Sequence, residues 1–206
     1  AMLQATLTLL SGSVLAHALP LLLGPVLTRL YTPADFGQFA LLWAVASNLA
    51  VVLCARYDFA LPLEPRPHRA ALLMALCARI AVVVTALAGP VGLTLWWWQG
   101  LPQAWLLPLA VLAAGSVQWL GLWATRGHRF GLLALARLVQ QGGGAVLQVL
   151  LGLLQLGLWG LWLGPVLAGL AASWLLARPT PHGGWLRLLR QPRRRLQAMA
   201  TLHRDF

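Results

Sequence analysis

Six apolar runs, each close to or beyond the thickness of a bilayer, limit what this chain can fold into. They cover residues 3–27, 38–54, 70–98, 104–124, 130–154 and 156–177. A helix needs about 20 apolar residues to cross a hydrocarbon core, and lipid offers no partner to a bare peptide group. Runs of this length satisfy their own backbone as helices, so the sequence predicts an all-α integral membrane bundle of six spans. Charge agrees. Charged residues make up 9% of the 206 and hydrophobic ones 60%, whereas a soluble domain carries charge on roughly a quarter of its positions. So little charge cannot build a water-facing surface.

Punctuation within and between the runs gives more. Pro20 and the Gly24-Pro25 pair fall late in the first run, where a missing N–H predicts a bend. The stretch from Thr28 to Gly37 reads as a turn. Thr32 suits a cap, Pro33 the first helical position, and Asp35 the positive helix end. The second span passes through Arg56-Tyr57-Asp58 and ends by Pro62, before the polar loop Glu64-Pro65-Arg66-Pro67-His68-Arg69. The third run exceeds what a bilayer needs, so it is expected to tilt, or to break at Gly89-Pro90 and Gly92. In the fifth, Gly142-Gly143-Gly144 permits close approach of a neighbouring helix or a local unwinding.

Residues 1–177 are thus expected to form a six-helix transmembrane lobe, and 178–206 something different. That tail holds seven arginines against Asp205 alone, with Trp185, Leu186, Leu188, Leu189 and Leu196 among them. It reads either as an amphipathic helix lying in the headgroups or as a solvated basic linker, because Pro192 interrupts the pattern.

The chain has fifteen Arg, no Lys, and four acids, for a net charge of +11. In a soluble protein this would indicate nucleic-acid binding. In a membrane bundle the same charges set topology and meet anionic headgroups, so membrane lipids are the expected partner and nucleic acid is not. Twelve arginines fall after the second, fourth and sixth spans, whereas Arg29 stands alone after the odd ones. The bias predicts cytoplasmic N- and C-termini. Trp96, Trp97, Trp98 and Trp105 would form an outer aromatic belt, and Trp119 and Trp123 an inner one.

Arginine inside a bilayer costs at least a few kcal/mol and calls for a reason. Arg79 lies nine residues past the start of the third run, and Arg137 about two turns into the fifth. Arg56 and Asp58 stand at the inner end of the second span, and Arg29 at the outer end of the first. These five are the candidate site. Arginines near helix ends snorkel to the headgroups. Arg79 and Arg137 fit a water-filled cavity instead, where the guanidinium fork matches phosphate oxygens. Asp58 is placed to neutralise Arg56 or Arg79, which would make the group structural. His17, inside the first span, reads as a helix–helix hydrogen bond or a proton site. Cys54 and Cys77 have neither disulfide nor metal spacing. No carboxylate pair, nucleophile set, phosphate loop or ligand cluster is present, so no enzyme activity, cofactor or metal is expected.

At Leu27-Thr28-Arg29-Leu30-Tyr31-Thr32-Pro33-Ala34-Asp35-Phe36-Gly37 the chain resembles the first loop of Wzx-type polysaccharide flippases, of the multidrug/oligosaccharidyl-lipid/polysaccharide exporter superfamily. Ala55-Arg56-Tyr57-Asp58-Phe59-Ala60-Leu61-Pro62 is similar to that family's stretch after the second span. Arg126 to Phe130 with Ala136-Arg137 fits its fourth loop and fifth helix, and Leu202-His203-Arg204-Asp205-Phe206 the entry to its seventh.

The resemblance implies a multi-pass protein of the bacterial inner membrane and one lobe of a two-lobed transporter, its tail leading to a second lobe. It implies translocation of undecaprenyl-pyrophosphate-linked oligosaccharide through a cationic cavity, with polysaccharide polymerase machinery as a further partner. Because the chain matches one lobe only, it is expected to be an N-terminal half. The other class in view is a non-transporting scaffold or assembly partner in polysaccharide biosynthesis. A drug exporter would place acids in its cavity, and only Asp58 lies near the bilayer.

Overall fold

The structure, a computed structural model, describes residues 2–53, 57–178, 190 and 192–202. The described residues contain helices and no strand. These are α1 (Met2–Leu30), α2 (Pro33–Val51), a 3-10 turn (Tyr57–Ala60), α3 (Pro67–Gln99), a second 3-10 turn (Pro102–Leu106), α4 (Leu107–Arg126) and α5 (Phe130–Arg137). A π-helical turn (Leu138–Gly143), α6 (Gly144–Leu153), α7 (Leu158–Ala177) and α8 (Arg193–Leu202) complete the order. Six spans are long and apolar enough to cross a membrane, with α5, the π turn and α6 forming one of them.

α4 and α7 form the central pair. α6 packs along α7, α2 lies across α4 and α7, and α3 packs on α4. α1 packs on α5, the π turn and α6, and α8 sits at the foot of α3. Connections alternate between two ends. The basic end carries Arg66, Arg69, Arg126, Arg129 and α8, and the far end Arg29, Trp105 and Trp96 to Trp98. Trp97 is 88% exposed and Leu21 78%, as side chains facing lipid should be.

Small residues let the helices approach where lipid gives no hydrophobic drive. Ala46, Ala110, Ala168 and Ala172 are buried at the central contacts, and a Cβ on Gly169 would lie 3.0 Å from that of Ala113. Among them sits the fully buried Trp162. The Phe39 and Trp43 rings meet it edge-on at 6.4 and 6.2 Å and stack on each other at 5.9 Å.

The turn from Leu27 to Gly37 folds as its residues dictate. The Thr32 hydroxyl accepts from the Asp35 N–H at 3.2 Å, and the Asp35 carboxylate accepts from the Thr32 N–H at 3.0 Å, a reciprocal cap on α2. Tyr31, 4% exposed, drives its ring against Gly152 and Gly160 and donates its hydroxyl to the Gln148 carbonyl. Burial first, and then the Asp35 carboxylate, raise its phenol above the usual value, so it stays a neutral donor. Gln148 in turn donates from Nε2 to the Leu161 carbonyl at 3.0 Å. The α1–α2 turn is therefore pinned into the α6–α7 seam.

One local expectation is corrected: α3 continues through Pro90 and Gly92 without a break, and α1 likewise stays helical through Pro20 and Pro25. In a membrane bundle neighbouring groups take up the backbone partners that Pro leaves. Gly92 serves a close approach instead, since a Cβ there would overlap the Ala104 carbonyl oxygen. α8 begins at Arg193, directly after Pro192. Trp185, Leu186, Leu188, Leu189 and Asp205 lie outside the described residues.

Candidate functional site

Arg137 closes α5, seven residues past Phe130, or about 10 Å into the span from the basic end. The next turn widens from α to π over Leu138–Gly143, a departure often found at functional positions. Gly142 faces α1 across this turn, where a Cβ would stand 2.7 Å from Leu19 Cδ1, a side-chain end that can turn aside. A second close approach holds α1 one span-half lower, where a Cβ on Gly12 would stand 2.7 Å from that of Ala134. Between them Ser13 faces α5, and the Arg137 Nη1 donates to its hydroxyl at 3.1 Å. Among the described residues, the partner of this guanidinium is a neutral oxygen.

Arg137 lines a slot of about 260 Å³ between α4 and α5. Gln118 and Thr125 on α4, Gln140 on the π turn and Phe59 of the first 3-10 turn contribute further walls. Val117 and Thr125 lie eight helical steps apart on α4, so the slot runs about 12 Å along the bundle from the basic end. Among the described residues its walls carry one permanent cation, two amides, a hydroxyl and apolar side chains. The Thr125 hydroxyl is spent locally on the Gly121 carbonyl at 2.9 Å. Ser13, Gln118, Gln140 and Thr125 are not singled out by sequence reasoning. Polar side chains inside apolar runs were the visible signal, but they do not show which face of the helix they occupy.

The other candidates are dispersed. Arg79 lies on α3 and lines a separate cleft with Arg193 and Gln197 of α8. α3 packs on α4 and α8, whereas α5 packs on α1, α4 and α7, so Arg79 and Arg137 line different pockets. Arg29 is exposed at the far end of α1, sixteen residues or about 24 Å along the helix from Ser13. Arg56 lies outside the described residues, as does the side chain of Asp58. His17 is exposed on α1, one turn along from Ser13. Cys77 is buried, and Cys54 lies outside the described residues. No group of three or more His, Cys, Asp or Glu among the described residues is placed to hold a metal ion.

The basic end is organised by Glu64. Its backbone carbonyl accepts from Arg126 Nε and Nη2 at 3.3 and 3.2 Å, and its carboxylate from the Arg66 N–H at 3.2 Å. Arg126 also stands 5.7 Å from the centre of the Trp123 ring. These contacts make Arg126 structural and leave Arg137 as the cation facing the slot. Compared with family models, curated proteins and solved structures, the chain finds no match.

Proposed function

We propose that this bundle is one lobe of a flippase carrying undecaprenyl-pyrophosphate-linked oligosaccharide across the bacterial inner membrane, with its basic end in the cytoplasm. The observation that carries the reading is Arg137, held by Ser13 about 10 Å into the span at the wall of a polar slot. A guanidinium at that depth is costly unless something compensates it, and a phosphate group does so with two parallel charge-assisted hydrogen bonds. The slot, at about 260 Å³, falls below the roughly 300–1,000 Å³ of sites that enclose a small molecule. It suits a phosphate group, with the glycan left to the space between this lobe and an opposing one. α1 rests on α5, the π turn and α6, so the glycine-rich π turn is the joint about which it would move. Arg56 and Arg79 would draw the anion toward the basic end, and Arg29 would mark the exit.

The test uses the complete reading frame in a flippase-deficient strain, with each variant matched for membrane abundance. A charge-assisted hydrogen bond contributes about 1.5–3 kcal/mol, so Arg137→Ala is expected to lower glycan export about ten-fold or more. Arg137→Lys restores part of it, because the charge returns without the planar fork. Normal export by Arg137→Ala refutes the cationic-slot mechanism and favours a scaffold or assembly role.

A further inference from the structure

Between Gly12 and Thr28 of α1 the polar side chains are Ser13, His17 and Thr28. At about 100° per residue, His17 stands about 40° round the helix from Ser13 and Thr28 about 60°. Gly24 falls among them, about 20° from Ser13. All four lie on one flank of α1, and none is buried. We propose that this flank faces water inside the membrane, as one wall of a hydrated groove running from Ser13 to Thr28.

The rest of α1 divides around that flank. Ala16 and Leu27 are buried, and Gly12 and Leu19 meet Ala134 and Gly142, so one side faces the bundle. Val14, Leu15, Leu21, Leu22 and Val26 are exposed and wholly apolar, as a lipid-facing side requires. The polar flank lies between the two, and the space in front of it is open. A Cβ on Gly24 would meet nothing within 4 Å, whereas one on Gly12 would stand 2.7 Å from that of Ala134.

Depth makes the polar flank informative. Ser13 stands level with Arg137, about 10 Å into the span, so His17 one turn on lies about 16 Å in, near the middle of a hydrocarbon core of about 30 Å. An imidazole there is beyond the headgroups, and polar side chains at such depth face either packed protein or a water-filled cavity. The bundle side of α1 is already taken up by Ala16, Leu19 and Leu27, and His17 is exposed. Its two ring nitrogens find partners in water and none in lipid. The Thr28 hydroxyl returns to the Pro25 carbonyl at 2.9 Å, which leaves its oxygen free to accept from water as well. At the basic end, a shallow hollow of about 290 Å³ lined by Thr6, Leu9, Leu10 and Ser13 lies at the foot of the same flank. Arg137 touches Ser13 and also lines the α4–α5 slot, so slot and groove adjoin. This inference requires membrane insertion and does not rest on the flippase reading.

The experiment is cysteine labelling of the whole protein in nanodiscs with an anionic, membrane-impermeant methanethiosulfonate. Rates are read against the parent chain, whose own Cys54 and Cys77 set the baseline. His17→Cys and Gly24→Cys are compared with Leu15→Cys and Leu22→Cys, which lie within about 3 Å of the same depths on the lipid side. The thiolate is the reacting species and hydrocarbon suppresses it, so the two groove positions are expected to label at least about ten-fold faster. Gly24 faces open space and His17 is exposed, so neither substitution displaces a packed neighbour, and an unchanged elution profile verifies the fold. Equal rates on the two sides overturn the proposal. So does labelling confined to Ser13→Cys and Thr28→Cys, which would mean that the flank is dry between its ends and covered by another helix. Fast labelling at positions 17 and 24, together with normal export by Arg137→Ala, would keep the groove and refute the cationic slot.

Discussion

Replacing Gly160 by alanine sets a methyl group against the Tyr31 hydroxyl, which fills the space a side chain would take. The same methyl would lie 3.1 Å from Leu151 Cβ and 3.3 Å from its carbonyl carbon, so neither wall yields without moving α6. Overpacking of this kind costs about 1–3 kcal/mol, and alanine in place of a helical glycine offsets about 0.5–1 kcal/mol. The net expectation is a loss of about 1–2 kcal/mol. Tyr31→Phe removes the wedge oxygen and its bond to the Gln148 carbonyl. That carbonyl lies within α6, where the helical ladder supplies another donor, so its loss costs only about 0.5–1 kcal/mol. In the Tyr31→Phe background the new methyl no longer meets the hydroxyl oxygen, and Leu151 remains a near wall. The double variant should therefore be about 1 kcal/mol more stable than the sum of the single losses. Reversible unfolding of the purified protein in mixed micelles, run as a double-mutant cycle, measures the difference. Additivity within about 0.3–0.5 kcal/mol would mean that Tyr31 does not wedge the α6–α7 seam.

Three further outcomes are expected. Gly142→Ala should be nearly neutral, because the atom its Cβ meets is the free end of Leu19, whereas Gly142→Val should push α1 outward and reduce cross-linking between cysteines placed on α1 and the π turn. Thr32→Ala removes the reciprocal cap of α2 and should cost about 1 kcal/mol in the same unfolding assay, with Thr32→Ser restoring most of it. Reporter fusions after Ala34 and Gly100 should read periplasmic, and those after Arg66, Gly127 and Gly183 cytoplasmic; a cytoplasmic signal at Gly100 would overturn the pairing of α3 with α4.

The arginines expected to share one site stand apart in the structure, with Arg79 and Arg137 lining different pockets. Arg137 and the glycine triplet were recognisable as unusual in an apolar run, and the π turn joins them into one local feature. Arg79, equally conspicuous in sequence, stands beside α8, because the N-terminal part of α3 that carries it packs on that helix.

What the sequence by itself determined is local or additive. Apolar length makes six helices, because each peptide group in lipid must be satisfied within its own segment. Thr32, Pro33 and Asp35 cap α2 because their reach spans three residues. Tertiary structure alone decided which face of each helix meets protein. In water that choice is written as an apolar stripe against a polar one. In a bilayer the lipid is as apolar as the core, so Leu21 at the surface and Leu42 at the centre read alike. Only the fit of Gly142 to Leu19, of Gly160 to Tyr31 and of Gly169 to Ala113 distinguishes the packed faces, and that fit exists once the helices are together.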